Sequence, residues 1–280
     1  DALVATADAW GDNINATLTT VKAGVMKRIY QTNTLSVARL YRYTTLILGM
    51  KPNEHEYKVM GLAPYAKKKY YKKPRQIFRS VQKGKGLEFE FIKKPTDSYF
   101  YFLERFEGVR FDAIAGALQE YTEEMMLGWF ANAIKKTGLH SLCFAGGVAM
   151  NVKANMLINR MSSVKSLHVS PTPDDASQAM GACYAYMYEV LTKQKKDPRA
   201  YLKPLEHSYL GPAISDKEVK KLITDKKITT RYRITRKATP ARVAALLAGG
   251  KVIGRAAGRS EFGARSLGNR SILADARSEL

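Results

Sequence analysis

TADAWGDN, residues 6–13, closes an alternating apolar run with Asp8, Gly11 and Asp12. A turn there can aim backbone N–H groups at a phosphate while Asp8 holds a metal or a hydroxyl, although the same residue types also make an ordinary hairpin turn. HEYKVMGLAPY (55–65) sets Glu56 and Lys58 beside Gly61. Opposite charges two apart do not share a helix face, so this pair predicts an extended or turning segment with something polar between them. FAGGVAMN (144–151) places Gly146 and Gly147 where an apolar strand runs into a helix. Free N–H groups and the helix dipole favour an anion there, and the missing side chains let it approach. Asn151, expected on the first turn of that helix, offers both a donor and an acceptor to a sugar or base.

PTPDDASQAMGA (171–182) puts two adjacent acids between a strand and a small-residue helix. Helix capping accounts for one of them, and Asp175 then suits a divalent cation that holds phosphate oxygens. GRSEFGARSLGNRSILADAR (258–277) interleaves Arg259, Arg265, Arg270 and Arg277 with Glu261, Asp275 and the turn formers Gly263, Gly268 and Asn269. Planar guanidinium forks bind phosphate or carboxylate, with the acids orienting them. The four histidines, His55, His140, His168 and His207, show no i, i+4 pairing of the kind that binds a metal on a helix.

The elements around these stretches follow from periodicity. Residues 2–32 alternate or run apolar with β-formers between short turns, which predicts an antiparallel meander. LSVARLYRYTTLILG predicts a helix stopped at Gly49, with Val37, Leu40, Tyr41, Thr44, Leu46 and Leu48 on one stripe. Residues 66–110, rich in lysine with aromatic islands such as YFYF, read as an insertion or a loosely structured connection. A long helix starts at Asp112 as its cap and runs to Gly138. Strand, loop and helix then repeat: SLCFAGG, a helix with Met150, Ala154, Leu157 and Ile158 inward, SLHVSPTPDD, and the helix ASQAMGACYAYMYEVL. Such units point their loops at a cleft outside the strand ends. Beyond a polar, basic stretch come the helix TPARVAALLAGG and the strand KVIGRAAG.

The surplus of 46 basic over 25 acidic residues, +21, favours anionic partners such as phosphorylated small molecules, nucleic acid or anionic membrane. It gathers at 67–75, 193–199 and 217–237, which look like loops and an exposed helix rather than a groove. Two cysteines in apolar stretches, Cys143 and Cys183, form neither a disulfide framework nor a zinc pattern. With no long apolar run and no signal-like start, the chain reads as soluble and cytoplasmic, with no membrane partner.

HEYKVMGLAPY, AGGVAMNVKAN, PDDASQAMGA, YLGP and GRSEFGARSLGNRSILADAR occur in this order in the O-carbamoyltransferases of nodulation-factor and antibiotic biosynthesis. The chain resembles that family over nearly its whole length. The resemblance implies an α/β protein: an actin/sugar-kinase/Hsp70-like (ribonuclease H-like) lobe at 1–205, a linker at 206–240, and at 241–280 the start of a second α/β lobe resembling threonylcarbamoyl-adenylate synthase. It implies that carbamoyl phosphate and ATP give carbamoyl-adenylate in the second lobe, and that the first lobe passes the carbamoyl group to a hydroxyl of a small-molecule acceptor such as a sugar. Asp8, Glu56, Lys58 and Asp175 then match catalytic positions, and Asp175 also the metal site for iron or magnesium. Gly11, Asp12, Gly61, Gly146, Gly147 and Asn151 match nucleotide or acceptor contacts, and Arg259, Arg265 and Arg270 the grip on carbamoyl phosphate.

Two departures stand out. The family's paired histidines, upstream of the aspartate turn, are absent, and the chain ends where the second lobe has barely begun. The expectation is therefore a piece of a longer enzyme that does not complete the reaction alone. The alternative reading is a tRNA-binding or modifying module like the threonylcarbamoyl transferases, resting on the +21 charge. The basic runs lack interleaved aromatics apart from KKKYYKK, so nucleic acid is not the expected partner.

Overall fold

The computed structural model describes residues 1–235 and 238–277. Arg236 and Lys237, which end the third basic run, and the terminal Ser278, Glu279 and Leu280 lie outside the described residues. The chain divides into two compact units, Asp1–Gln178 and Ala179–Leu280.

The first unit opens with the expected meander of β1 (Ala2–Gly11), β2 (Ile14–Lys22) and β3 (Val25–Thr32). Then come α1 (Val37–Ile47), α2 (Glu56–Leu62), α3 (Lys72–Arg79), the hairpin β4 (Gln82–Lys85) and β5 (Glu88–Phe91), α4 (Ser98–Arg105) and α5 (Phe111–Thr137). It closes with β6 (Ser141–Ala145), α6 (Val152–Asn159) and β7 (Ser166–Val169). Five strands make one sheet in the order β3-β2-β1-β6-β7. The first three run antiparallel, whereas β1, β6 and β7 are mutually parallel, with Ala5 opposite Phe144 and Phe144 opposite Val169. This mixed sheet with helices makes the unit α/β.

Alternation along β1 sinks Leu3, Ala5 and Ala7 into the core, as a strand with one covered face requires. While Glu124, Asn132, Lys135 and Lys136 stay exposed along its second half, α5 buries Ile114, Leu118, Tyr121, Met126, Trp129 and Phe130. Each such side chain is worth about 1.5–3 kcal/mol of transfer free energy. Gly116 of α5 lies against the ring of Tyr71, where any Cβ would overlap it. α5 ends at Gly138 in a left-handed conformation, the stop expected from sequence. Its start differs by two residues: Arg110 is the cap, and Asp112 sits in the first turn with its carboxylate on the Arg110 guanidinium and the Ala113 amide.

The lysine-rich region 66–110 is not a loose connection. Phe78, Phe102 and Phe106 form a buried aromatic cluster that stacks on Tyr121, with ring centroids 5.3–6.0 Å apart, and Phe89 meets Trp129 at 5.7 Å. Its elements are too short for a periodicity to show, while the aromatics that anchor them are far apart in sequence. In α1, Thr45 rather than Leu46 turns inward, its hydroxyl donating to the Tyr41 carbonyl.

The second unit contains α7, whose range Gln178–Lys193 begins at the last residue of the first unit, then α8 (Pro198–Tyr201), α9 (Asp216–Asp225), α10 (Pro240–Ala248) and the antiparallel hairpin β8 (Ile253–Ala256) and β9 (Arg270–Leu273). α9 starts with a reciprocal cap between Ser215 and Glu218. Among the described residues of this unit only Leu191 and Ser208 are buried. Gly211 donates to the Ser260 carbonyl and Ser260 to that of Pro212. The loop between β8 and β9 is gathered on one atom: Glu261 Oε1 accepts from the amides of Leu267 (3.1 Å), Asn269 (2.6 Å) and Arg270 (3.0 Å).

Desolvation pushes the Glu261 pKa up, but the amides of Arg270, Glu261 itself, Asn269 and Leu267 outweigh it and hold the carboxyl down at about 2. An unfolded glutamate titrates near about 4.3. The folded pKa being the lower, the stabilisation is complete above the unfolded value and is lost as pH falls through the folded one. The amide proton shifts of Leu267, Asn269 and Arg270 are expected to titrate together with a midpoint near 2, and Glu261→Gln to abolish that titration. A midpoint near about 4.3 would mean that the three amides do not hold the carboxylate in solution.

Candidate functional site

Parallel β1, β6 and β7 end on the same edge of the sheet, and the loops that leave those ends are where an open α/β sheet binds its ligands. At this edge β1 is irregular: pairing with β2 runs in register to Ala7↔Ala16 and resumes at Gly11↔Ile14, so Asp8, Ala9 and Trp10 face Asn15 alone. Bulges of this kind re-aim side chains next to active sites. Asn15 holds the other side of the bulge, donating to the carbonyls of Asn33 and Leu35 and accepting from the Leu35 amide. Asp8 is half-buried, and its Oδ1 accepts from the Ala9 amide at 2.6 Å.

β6 runs directly into Gly146, φ +94°, and a 3-10 turn at Gly147–Met150. A Cβ on Gly146 would overlap the backbone carbonyl of Ala7, and one on Gly147 would lie 3.0 Å from Asp8 Oδ1. The absence of side chains is what lets the two strand ends touch. The Gly146 amide donates to the Pro173 carbonyl at 2.7 Å, which ties in the loop after β7. Asp8, Gly146 and Gly147 are therefore brought together as the sequence expects, with the PTPDD loop joining through Pro173 rather than through its acids. Asp174 caps the turn at Asp175–Ser177, accepting from Ala176 and from the Thr172 hydroxyl. Asp175 is exposed, its Oδ1 accepting from Gln178 Nε2 at 2.9 Å.

The other expected residues require correction. Gly11 is not the strained member of its turn; Asp12 and Asn13 carry the positive φ, 50° and 60°, in a two-residue hairpin of the type that demands it. Glu56, Lys58 and Gly61 lie on α2, not on an extended segment: Glu56 folds back to accept from the Asn53 amide at 2.6 Å, and Lys58 and Gly61 are exposed. Val59 on this helix is fully buried, which the charge-spacing argument ignored. Asn151 is not on a helix turn but caps α6, and its carboxamide is committed within the protein. Its Oδ1 accepts from Ala154 and Gln119 and its Nδ2 donates to Tyr41 and Gln119, all at 3.0–3.2 Å. Gln119 and Tyr41 were missed because no motif links them to the glycine pair; the only hint was the inward position of Tyr41 on its helical stripe.

In the second unit, Arg259 Nε and Nη2 donate to the carbonyls of Gly211 and Leu210, and Arg270 donates to those of Ala257, Gly258 and Asn269. These guanidinium groups brace backbone, and Glu261 accepts amides instead of orienting arginines. Arg277 pairs with Asp275 and Arg265 is half-buried. Among the described residues no three His, Cys, Asp or Glu side chains converge as metal ligands. Magnesium, which takes one or two carboxylates plus substrate phosphate oxygens, fits Asp175.

No helix among the described residues is long and apolar enough to cross a membrane. The chain is 31% identical to the Synechocystis sp. protein sll1178 over 86% of its own length and 42% of that protein. It is 33% identical to Nodulation protein NolO of Bradyrhizobium diazoefficiens, over 79% of this chain and 40% of the relative. To Nodulation protein NolNO of Sinorhizobium fredii it is again 33% identical, over 86% and 35%. The chain thus spans less than half the length of each of these relatives. The family description Carbamoyltransferase N-terminus matches residues 2–184, which include the β1 bulge, the glycine loop and the PTPDD loop, and Carbamoyltransferase C-terminus matches 244–280, which include the Glu261-centred loop. On this evidence the chain belongs to the carbamoyltransferase family.

Proposed function

We propose that the intact protein is an ATP-dependent O-carbamoyltransferase. It takes the carbamoyl group of carbamoyl phosphate through carbamoyl-adenylate to a hydroxyl of a small-molecule acceptor, with sugars the first class to test. The observation that carries this is the side-chain-free contact between Ala7–Asp8 and Gly146–Gly147 at the carboxyl edge of three parallel strands. The family membership supplies the group transferred. The order β3-β2-β1-β6-β7 supports an actin/sugar-kinase-like first lobe, and the family match at 244–280 supports a second lobe for adenylate formation.

In this reading the opening amides of the 3-10 turn at Gly147 have no preceding turn to donate to, and so face the charge that develops on the carbamoyl oxygen. Asp8, placed over Gly147 by the bulge, accepts the proton of the acceptor hydroxyl as its oxygen attacks the carbamoyl carbon and AMP leaves. A magnesium ion held by Asp175 would neutralise phosphate charge. Glu56, Lys58 and Gly61, exposed or half-exposed on α2, are proposed to line the acceptor's approach, and Arg259, Arg265 and Arg270 to shape the carbamoyl phosphate loop.

Incubating the intact protein with radiolabelled carbamoyl phosphate, ATP and a panel of hydroxyl acceptors is expected to give labelled product and pyrophosphate. Neither product appearing would reject the reading. Asp8→Asn is expected to leave the melting temperature nearly unchanged and lower kcat by about 10²-fold, the lower range for a lost general base. Gly146→Ala is expected to cost both stability, about 1–3 kcal/mol from backbone strain alone, and activity. A fully active Gly146→Ala protein would show that the strand ends do not meet as described.

A further inference from the structure

The glycine loop hangs from α5 through a closed set of buried polar groups. Asn151 Nδ2 donates to Gln119 Oε1 and Gln119 Nε2 donates to Asn151 Oδ1, each at 3.0 Å, a reciprocal pair of carboxamides. The Tyr41 hydroxyl donates to Gln119 Oε1 at 2.5 Å and accepts from Asn151 Nδ2 at 3.2 Å. The second Gln119 amide hydrogen goes to Glu123 Oε1 at 2.8 Å. Gln119, Asn151 and Tyr41 are each at least nine-tenths buried. Burial also pushes the Tyr41 hydroxyl far above its usual pKa, keeping it a neutral donor. Asn151 is where the loop ends: its amide donates to the Val148 carbonyl and its side chain caps α6, while the other end is fixed by Gly146 on Pro173. Between them the Ala149 carbonyl accepts from Asn155 Nδ2, and the Asn151 end is held by a glutamine 32 residues away on another element.

We propose that Gln119 is a positioning residue for carbamoyl transfer, holding the turn at Gly147–Met150 in register with Asp8 through Asn151; this rests on the reading of that turn as part of the transfer site. Gln119 touches no reacting atom. It acts because both faces of the Asn151 carboxamide need a complementary amide in a place where water cannot substitute.

The test uses the intact protein. Gln119→Leu is expected to raise amide exchange at 146–151 while β1 and β6 stay protected, and to lower kcat about tenfold or more with little change in acceptor KM, as misplacement rather than lost binding does. Tyr41→Phe, which removes one hydroxyl and keeps the ring, is expected to move both readouts the same way by less, and guards against loss of fold in the leucine variant. In an Asn151→Ala background Gln119→Leu is expected to add little, because the two act as one unit. Unchanged loop exchange in both single variants, raised exchange with unchanged kcat, or full additivity with Asn151→Ala would each overturn the proposal. Absence of carbamoyl transfer in the unsubstituted protein would sink the functional reading instead, and the exchange measurement would still decide whether Gln119 holds the loop.

Discussion

At Ala7 and Gly146 two backbones approach so closely that no side chain fits between them. Everything at the carboxyl edge of the sheet follows from that contact. It fixes where β1 and β6 stop, since β6 must turn at a residue free to adopt φ +94°, and β1 must bulge to keep pairing with β2 beyond Ala7. The bulge in turn lifts Asp8 over Gly147. A carboxylate beside a side-chain-free turn thus comes from one steric fact, not from several independently placed residues. The arrangement is unforgiving in the same measure, because relaxing any member shifts the others.

Much of this was legible in sequence wherever a local rule sufficed. The meander, the parallel unit around SLCFAGG and the stop at Gly138 follow from alternation, apolar runs and glycine chemistry over windows of ten or so residues. Asp8, Gly146 and Gly147 were legible as well, because strand ends in α/β units converge. What failed were arguments from pairs of charges or from composition. Glu56 and Lys58 were judged by their mutual spacing, yet the segment is helical and Val59, the residue after Lys58, is buried. The lysines of 66–110 masked an aromatic cluster whose members, Phe78, Phe102 and Tyr121, sit on three elements and become neighbours only after folding.

The arginine-rich C-terminal motif is bound into its own main chain. Guanidinium groups and carboxylates in alternation look like an anion site held by side chains, whereas Glu261 collects three backbone amides and Arg259 and Arg270 collect backbone carbonyls. Charge-assisted hydrogen bonds to the main chain, stronger than neutral ones, tie these turns together. The depressed Glu261 pKa is the electrostatic signature of those bonds.

Asn151 joins the two lessons. Its residue type and its place after a glycine pair make it look like a ligand contact, and a donor with an acceptor on one short side chain is indeed what a sugar or base would ask for. The same property makes it the natural partner for another carboxamide, and Gln119 meets it in the interior where both halves of the pair are satisfied at once. A buried amide with a free face would be costly, and Gln119, the Tyr41 hydroxyl and the Ala154 amide together use every donor and acceptor of the Asn151 carboxamide. Polar residues beside this glycine loop therefore divide by burial: Asn151, facing the core, is satisfied by Gln119 and Tyr41, whereas Asp8, at the strand end, stays half-buried.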